Sequence, residues 1–193
     1  MYLSQAFYKP FMLKSPFSSL SKSQEKKLTY GLLGSVIITI AILKYFEHFL
    51  INEICTNGII SFELSKDLEI ATSYMNSWGD VGRNAAGLSL GLDFLFPFLY
   101  ASFIALLIHK LNERLWSGSS VYGVGCIIIW LQAATILFDL IENFGLIQLL
   151  LGNLKPIWVS VAYYFAFTKF LLIFIGFAYI IINFGLFLDT KRT

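Results

Sequence analysis

Apolar residues run along this chain in long blocks rather than in the short periodic patches of a soluble domain. The blocks cover residues 30–51, 87–109, 121–151 and 157–188. Crossing a hydrocarbon core takes about 20 helical residues, so each block is long enough to span. The last two exceed a straight crossing and are expected to tilt or to protrude on one side. The connections 110–120 and 152–156 are short, which favours antiparallel neighbours. The pattern therefore predicts an all-α integral membrane protein, an up-down four-helix bundle. Residues 1–28 form a cytoplasmic N-terminal arm, 29–189 the four-helix transmembrane domain including an outer segment 53–86, and 190–193 a cytoplasmic tail.

Composition agrees with the pattern. The 193 residues are 57% hydrophobic and only 13% charged, with mean hydropathy +0.71, against about 25% charged in a soluble domain. A net charge of +2, with no basic patch interleaved with aromatics, argues against nucleic acid as a partner. Cys55 and Cys126 have no zinc-ligand spacing and fall toward opposite membrane faces. The arm lacks the apolar core of a cleavable signal and is interrupted by Pro10, Pro16 and several lysines, so the first block is expected to act as an uncleaved anchor.

Basic residues set the expected orientation. Lys9, Lys14, Lys22, Lys26 and Lys27 precede the first block, Lys110 and Arg114 lie in the second connection, and Lys191 and Arg192 are in the tail. The opposite side carries Lys66, Arg83 and Lys155. An excess of lysine and arginine marks the cytoplasmic face, so both termini are expected there, in an inner or plasma membrane. Within the outer segment, Leu64, Leu68, Ala71, Met75 and Trp78 recur at helical spacing. Residues 62–78 therefore read as an amphipathic helix on the membrane surface or capping the bundle. It serves as a lid, as a packed connector, or as a surface for a protein partner; the other partners are membrane lipids.

Charges inside the apolar blocks carry the candidate chemistry, because a charge at membrane depth is costly and is retained for a partner, a ligand or a transported ion. At about 1.5 Å rise per residue from the cytoplasmic edge, Lys44 lies about 21 Å up, Asp93 about 24 Å, and Asp139 and Lys169 about 28 Å. Four blocks counted independently thus deliver charges to one slab in the outer part of the bilayer. Lys44, Glu47 and His48 share one helical face, Asp139, Glu142 and Asn143 repeat that spacing, and Asp93 lines up with Tyr100 across Pro97. The expected ion pairs are Lys169 with Asp139 or Asp93, and Lys44 with Glu47 or Asp93. The nine candidate ligand-binding residues are Lys44, Glu47, His48, Asp93, Tyr100, Asp139, Glu142, Asn143 and Lys169. Their two lysines face four carboxylates, so the slab is acidic, and a proton, a cation or entering water must balance it.

No catalytic or metal constellation accompanies them. Ser89, Ser102 and Thr168 have no nearby histidine in sequence, and Glu47-His48 lacks the Glu-x-x-His spacing of a carboxylate-bridged metal pair. No cofactor motif is present: Gly123-Val124-Gly125 has no phosphate-loop context. His109 and Lys110 read as snorkelling caps at the cytoplasmic end of the second block.

The string Leu92-Asp93-Phe94-Leu95-Phe96-Pro97 with Tyr100, then Asp139-Leu140-Ile141-Glu142-Asn143, then Lys169, resembles a pattern in small bacterial four-helix membrane proteins of uncharacterised role. The resemblance covers about half the chain, the second to fourth blocks. It implies the four-helix layout and importance for the Asp, Asp-x-x-Glu-Asn and Lys positions, and no activity. Three functional readings stand at this point. The pocket binds a small cation, a proton or a polar ligand, in transport or sensing; the chain is a non-catalytic structural subunit of a membrane complex; or it is a lipid-modifying membrane enzyme.

Overall fold

The computed structural model describes residues 13–189; the tail 190–193 and the first part of the arm lie outside them. Six helices follow one another, α1 Lys22–Glu47, α2 Ile59–Glu63, α3 Leu68–Asp93, α4 Phe96–Trp116, α5 Tyr122–Leu150 and α6 Pro156–Asp189. Among the described residues there is no strand. Three helices, α1, α5 and α6, are long and apolar enough to cross a membrane; α3 and α4 pass together as one span bent by 44°, making up to four.

Local chemistry explains the boundaries. The first helix begins at Lys22, ahead of its apolar block, because Ser21 and Gln24 form a capping box: Ser21 Oγ accepts from Gln24 N at 3.3 Å while Gln24 Oε1 accepts from Ser21 N at 2.9 Å. Just before it the arm lies against protein. Phe17 packs on His109, and Trp130 Nε1 donates to the Lys14 carbonyl at 3.1 Å.

The expected surface helix 62–78 is two pieces. Its start closes α2, with Leu64 as the cap, and 68–78 is the first half of α3, opened by Asp67 Oδ1 accepting from Ile70 N at 2.8 Å. Its face of Ala71, Met75 and Trp78 is buried in the cluster that contains Leu50, Phe62 and Leu146. At Gly79 the backbone enters the left-handed region, φ 59°, which a side chain there would disfavour. The break frees the Met75 carbonyl, and Arg83 takes it up: Nε donates to Met75 O at 2.8 Å and an η nitrogen to Asn76 Oδ1 at 2.6 Å. The chain breaks again after Asp93, and α4 restarts with Pro97 in its first turn, where the missing N–H leaves no helical bond unmade.

The central helix, α5, packs on α6, α4 and α3, and its faces are inverted relative to a soluble helix. Gln132, Thr135, Asp139, Glu142 and Asn143 are buried, whereas Ile127, Leu137, Phe144 and Leu151 are exposed. The longest helix, α6, likewise exposes Phe174, Ile181 and Ile182. An apolar outside around a polar inside is stable only where the surroundings are hydrocarbon. This is an integral membrane arrangement.

Close approach of α5 to α6 rests on Gly145, where an added Cβ would sit 3.1 Å from the Trp158 carbonyl oxygen and 3.5 Å from Val161 Cγ1. A Gly145→Val substitution is expected to push the pair apart and to cost about 1–3 kcal/mol. Thermal unfolding in detergent reads this as a lower midpoint; an unchanged midpoint would mean the contact is slack.

Candidate functional site

Lys169, on α6, is the centre of the site. Its side chain is buried, and Nζ lies 2.8 Å from Glu142 Oε2, 3.2 Å from Asp139 Oδ1 and 3.8 Å from Glu63 Oε2. Below it the Phe170 ring centroid is 5.1 Å away. Asp139 is the second hub, with Oδ1 also accepting from Asn143 Nδ2 at 3.1 Å and Oδ2 accepting from Tyr100 OH at 2.7 Å. Asn143 Nδ2 reaches Asp93 Oδ2 at 3.0 Å, joining α3 to α5. Two helical breaks make the convergence possible. The interruption after Asp93 turns α4 so that Tyr100 meets Asp139, and the short α2 hangs Glu63 over Lys169.

The site adjoins a cavity of about 300 Å³ lined by residues of all six helices. Asp93, Tyr100, Asp139, Glu63 and Lys169 supply its polar side; Ile40, Leu43, Ile59, Leu90, Phe96 and Ile173 are among its apolar walls. Lys44 and Glu47 line it too and are ion-paired with each other, the lysine mostly exposed and the carboxylate buried.

Six of the nine candidate residues thus come together: Asp93, Tyr100, Asp139, Glu142, Asn143 and Lys169. Lys44 and Glu47 form the local alternative of their two expected pairings and border the cavity without joining the network. His48 stands apart. It caps the exposed end of α1 with its ring against Phe49 at 5.6 Å, because the helix ends at Glu47 and the chain turns away. His109 is not a snorkelling cap: α4 continues to Trp116, and the imidazole is buried with Nε2 3.9 Å from Glu25.

Sequence reasoning missed Glu63, which lies outside the apolar blocks. The signal was its setting within Gly58-Ile59-Ile60-Ser61-Phe62-Glu63-Leu64, a carboxylate in a short apolar run. With it, Glu63, Asp139 and Glu142 surround Lys169 and Asp93 joins through Asn143, while Lys44 and Glu47 cancel each other. If all are ionised, the charge of the network is 1 − 4 = −3. One side chain is also incompletely satisfied: Asn143 Oδ1 is buried and accepts no hydrogen bond. Among the described residues no three His, Cys, Asp or Glu groups are arranged to hold a metal ion.

Glu63 stands on α2, outside the helices long enough to span. Burial pushes its carboxyl above the usual carboxylate range; the Lys169 ammonium opposes this, and the Asp139 charge adds to the rise. An acid whose folded pKa is raised stabilises the fold below its unfolded pKa, and that contribution disappears as pH rises through the folded value. Thermal stability in detergent is therefore expected to fall as pH climbs above the ordinary carboxylate range. In Glu63→Gln the slope should be shallower; an identical slope would mean that Glu63 does not titrate there.

A second polar group ties the other end of α4, α5 and α6 together. Asn112 Nδ2 donates to the Tyr122 carbonyl at 3.0 Å, Tyr179 OH donates to Asn112 Oδ1 at 2.9 Å, and Trp116 Nε1 donates to Asn183 Oδ1 at 2.6 Å. These three bonds join neutral groups, and the Tyr122 hydroxyl donates outward to Glu113. It reads as structure, which leaves the charged network as the candidate site.

Comparison of the chain with protein-family models, curated proteins and solved structures finds no match.

Proposed function

We propose that this chain is a four-span helical-bundle membrane protein with an intramembrane acidic pocket that binds a proton, a small cation or a polar ligand, in transport or sensing. The spans are α1, the bent pair α3 and α4, α5, and α6. Both termini are cytoplasmic by the lysine and arginine excess beside them. The pocket then lies toward the outer side of the membrane, under α2.

The observation that carries the reading is the charge imbalance around Lys169, where three carboxyls lie within 4 Å of one ammonium and a fourth, Asp93, joins them through Asn143, beside a cavity. A purely structural network is best when charges cancel and every lone pair is satisfied. This one is acidic, leaves the Asn143 Oδ1 acceptor unsatisfied, and abuts open space. Protons or a bound cation would settle the surplus, and a site whose occupancy changes with pH or with a ligand can couple either to a change of helix packing. The rival reading, a structural subunit, draws support from the way Glu63, Asp139 and Lys169 tie α2, α5 and α6 together.

Thermal unfolding with pH and cation as variables tests the proposal. Asp93→Asn and Lys169→Met are expected to change both the midpoint and its response to pH and added cation. Variants that lose folded protein yet keep the wild-type response would favour the structural subunit. Orientation has a separate test. Cys55 and Cys126 are buried, and burial pushes the Cys55 thiol up, so the native background is low. Lys66→Cys should be labelled by an impermeant reagent from outside intact cells; labelling only after lysis would reverse the topology.

A further inference from the structure

We propose that the cavity beside Lys169 takes an amphiphile with a cationic amine head, which lies against Asp93 and Asp139 while its hydrocarbon body lies against the walls formed by α1, α2, α4 and α6. This rests on the acidic-pocket reading and names its ligand class.

Three observations lead to it. The first is the composition of the cavity. Apart from its charged side, the lining is hydrocarbon, with Ile40, Leu43, Ile59, Leu90, Phe96 and Ile173 facing the space. A bare inorganic cation needs a shell of oxygen ligands, and these walls offer none. An organic ammonium brings its own apolar surface, and the volume of about 300 Å³ falls at the lower end of small-molecule sites.

The second is the sign of the charge. The polar side is acidic beyond what Lys169 neutralises. Asp93 lines the cavity only partly buried, and Asn143 engages one of its oxygens. Among the described residues its other oxygen accepts no hydrogen bond, which leaves an acceptor for an incoming N–H or for ion pairing. Phe96 and Tyr100, packed edge to face at 5.1 Å, and Phe170 place aromatic rings around the same space, and ring faces attract organic cations. An anionic head would meet Asp93 and Asp139 first.

The third is access. Ile40 on α1, Ile60 on α2 and Phe170 on α6 border the cavity and are themselves exposed. The main contacts of α1 are with α4 and α3, and those of α6 with α5 and α4, so the opening lies between α1 and α6. On the membrane reading that opening faces lipid, the phase in which an amphiphile is concentrated. Charge balance then has a direct consequence: each monocation that enters lets one proton leave the carboxyl cluster for bulk water.

The test uses the full chain in detergent or nanodiscs with benzyltrimethylammonium as the cationic probe. Neopentylbenzene is the neutral isostere and benzenesulfonate the anionic control. Calorimetry in two buffers of different ionisation enthalpy reads affinity and proton release together. The cation is expected to bind at least about tenfold more tightly than either control, with protons released. Asp93→Asn, in which the amide oxygen can still accept from Asn143, should weaken the cation about tenfold and leave the neutral isostere unaffected. Leu43→Trp, which fills the apolar side, should weaken the cation without removing a charge. Equal binding of the cation and its neutral isostere, or cation binding unaltered in both variants, would overturn the inference. If the cation fails to bind while the wild type still titrates through Glu63, the ligand class is wrong and the acidic-pocket reading stands; absence of both removes the two together.

Discussion

Replacing Lys169 by methionine is expected to cost about 3–5 kcal/mol, the range for breaking a buried ion pair by removing one partner. Methionine fills a similar volume, so the effect is electrostatic rather than a cavity. The substitution leaves Glu142, Asp139 and Glu63, which lie 2.8, 3.2 and 3.8 Å from the ammonium, with no positive charge beside them. At about 2–4 °C per kcal/mol for a domain of this size, the unfolding midpoint should drop by roughly 6–20 °C. Adding Glu142→Gln to the variant removes one of the stranded charges and should restore part of the loss. A drop below about 1 kcal/mol, the scale of a solvated surface pair, would mean that water reaches Lys169. In that case the site is a hydrated vestibule and the charge surplus carries no functional weight.

The second large effect is expected at Trp78. The indole is buried, its Nε1 donates to the Leu50 carbonyl at 2.8 Å, and its ring meets Phe62 edge to face at 5.3 Å. It also fills the space over Gly82, where an added Cβ would sit 2.6 Å from Trp78 Cβ. Truncating a buried tryptophan costs about 3–5 kcal/mol. The loss should be local, because Trp78 holds the first half of α3 and α2 against the end of α1 and has no contact with the Asn112 group. Trp78→Ala is therefore expected to expose Cys55, which is buried in the same cluster, and to leave Cys126 protected. Maleimide labelling should rise at Cys55 alone. Equal rises at both cysteines would mean that the chain unfolds as one unit and that α2 and α3 are no separate cover.

Much of the site was legible because helical rise is constant. Counting residues from the membrane edge placed Asp93, Asp139 and Lys169 at one depth, and the i, i+3, i+4 spacing placed Asp139 with Asn143. Those are the residues that meet. The features that escaped depend on where helices stop. His48 was placed on the face of Lys44, but α1 ends one residue earlier and the cap points outward. His109 reads as a helix end because the apolar block stops there, while α4 runs on to Trp116, packed against α5, α1 and α6. Glu63 escaped for a third reason. Its burial depends on a turn at Gly58, φ 54°, where an added Cβ would lie 2.8 Å from Glu47 Cγ. That contact joins residues of different elements, and no local pattern encodes it. The outer helix was legible in its apolar face and in Gly79 as the break that ends its first half, yet its division into α2 and α3 follows from Asp67 as a cap, a polar signal that apolar spacing ignores.

The central claim is that the acidic cluster around Lys169 holds protons or a cation that balance its charge. Infrared difference spectroscopy of the purified protein at neutral pH, in a buffer without added metal ions, tests it most directly through the C=O stretch of protonated carboxylic acids. The expected result is a protonated-acid band in the wild type that weakens in Glu63→Gln and disappears as the pH is raised. A wild-type spectrum with no protonated carboxylic acid at neutral pH, identical to that of Glu63→Gln, would contradict it.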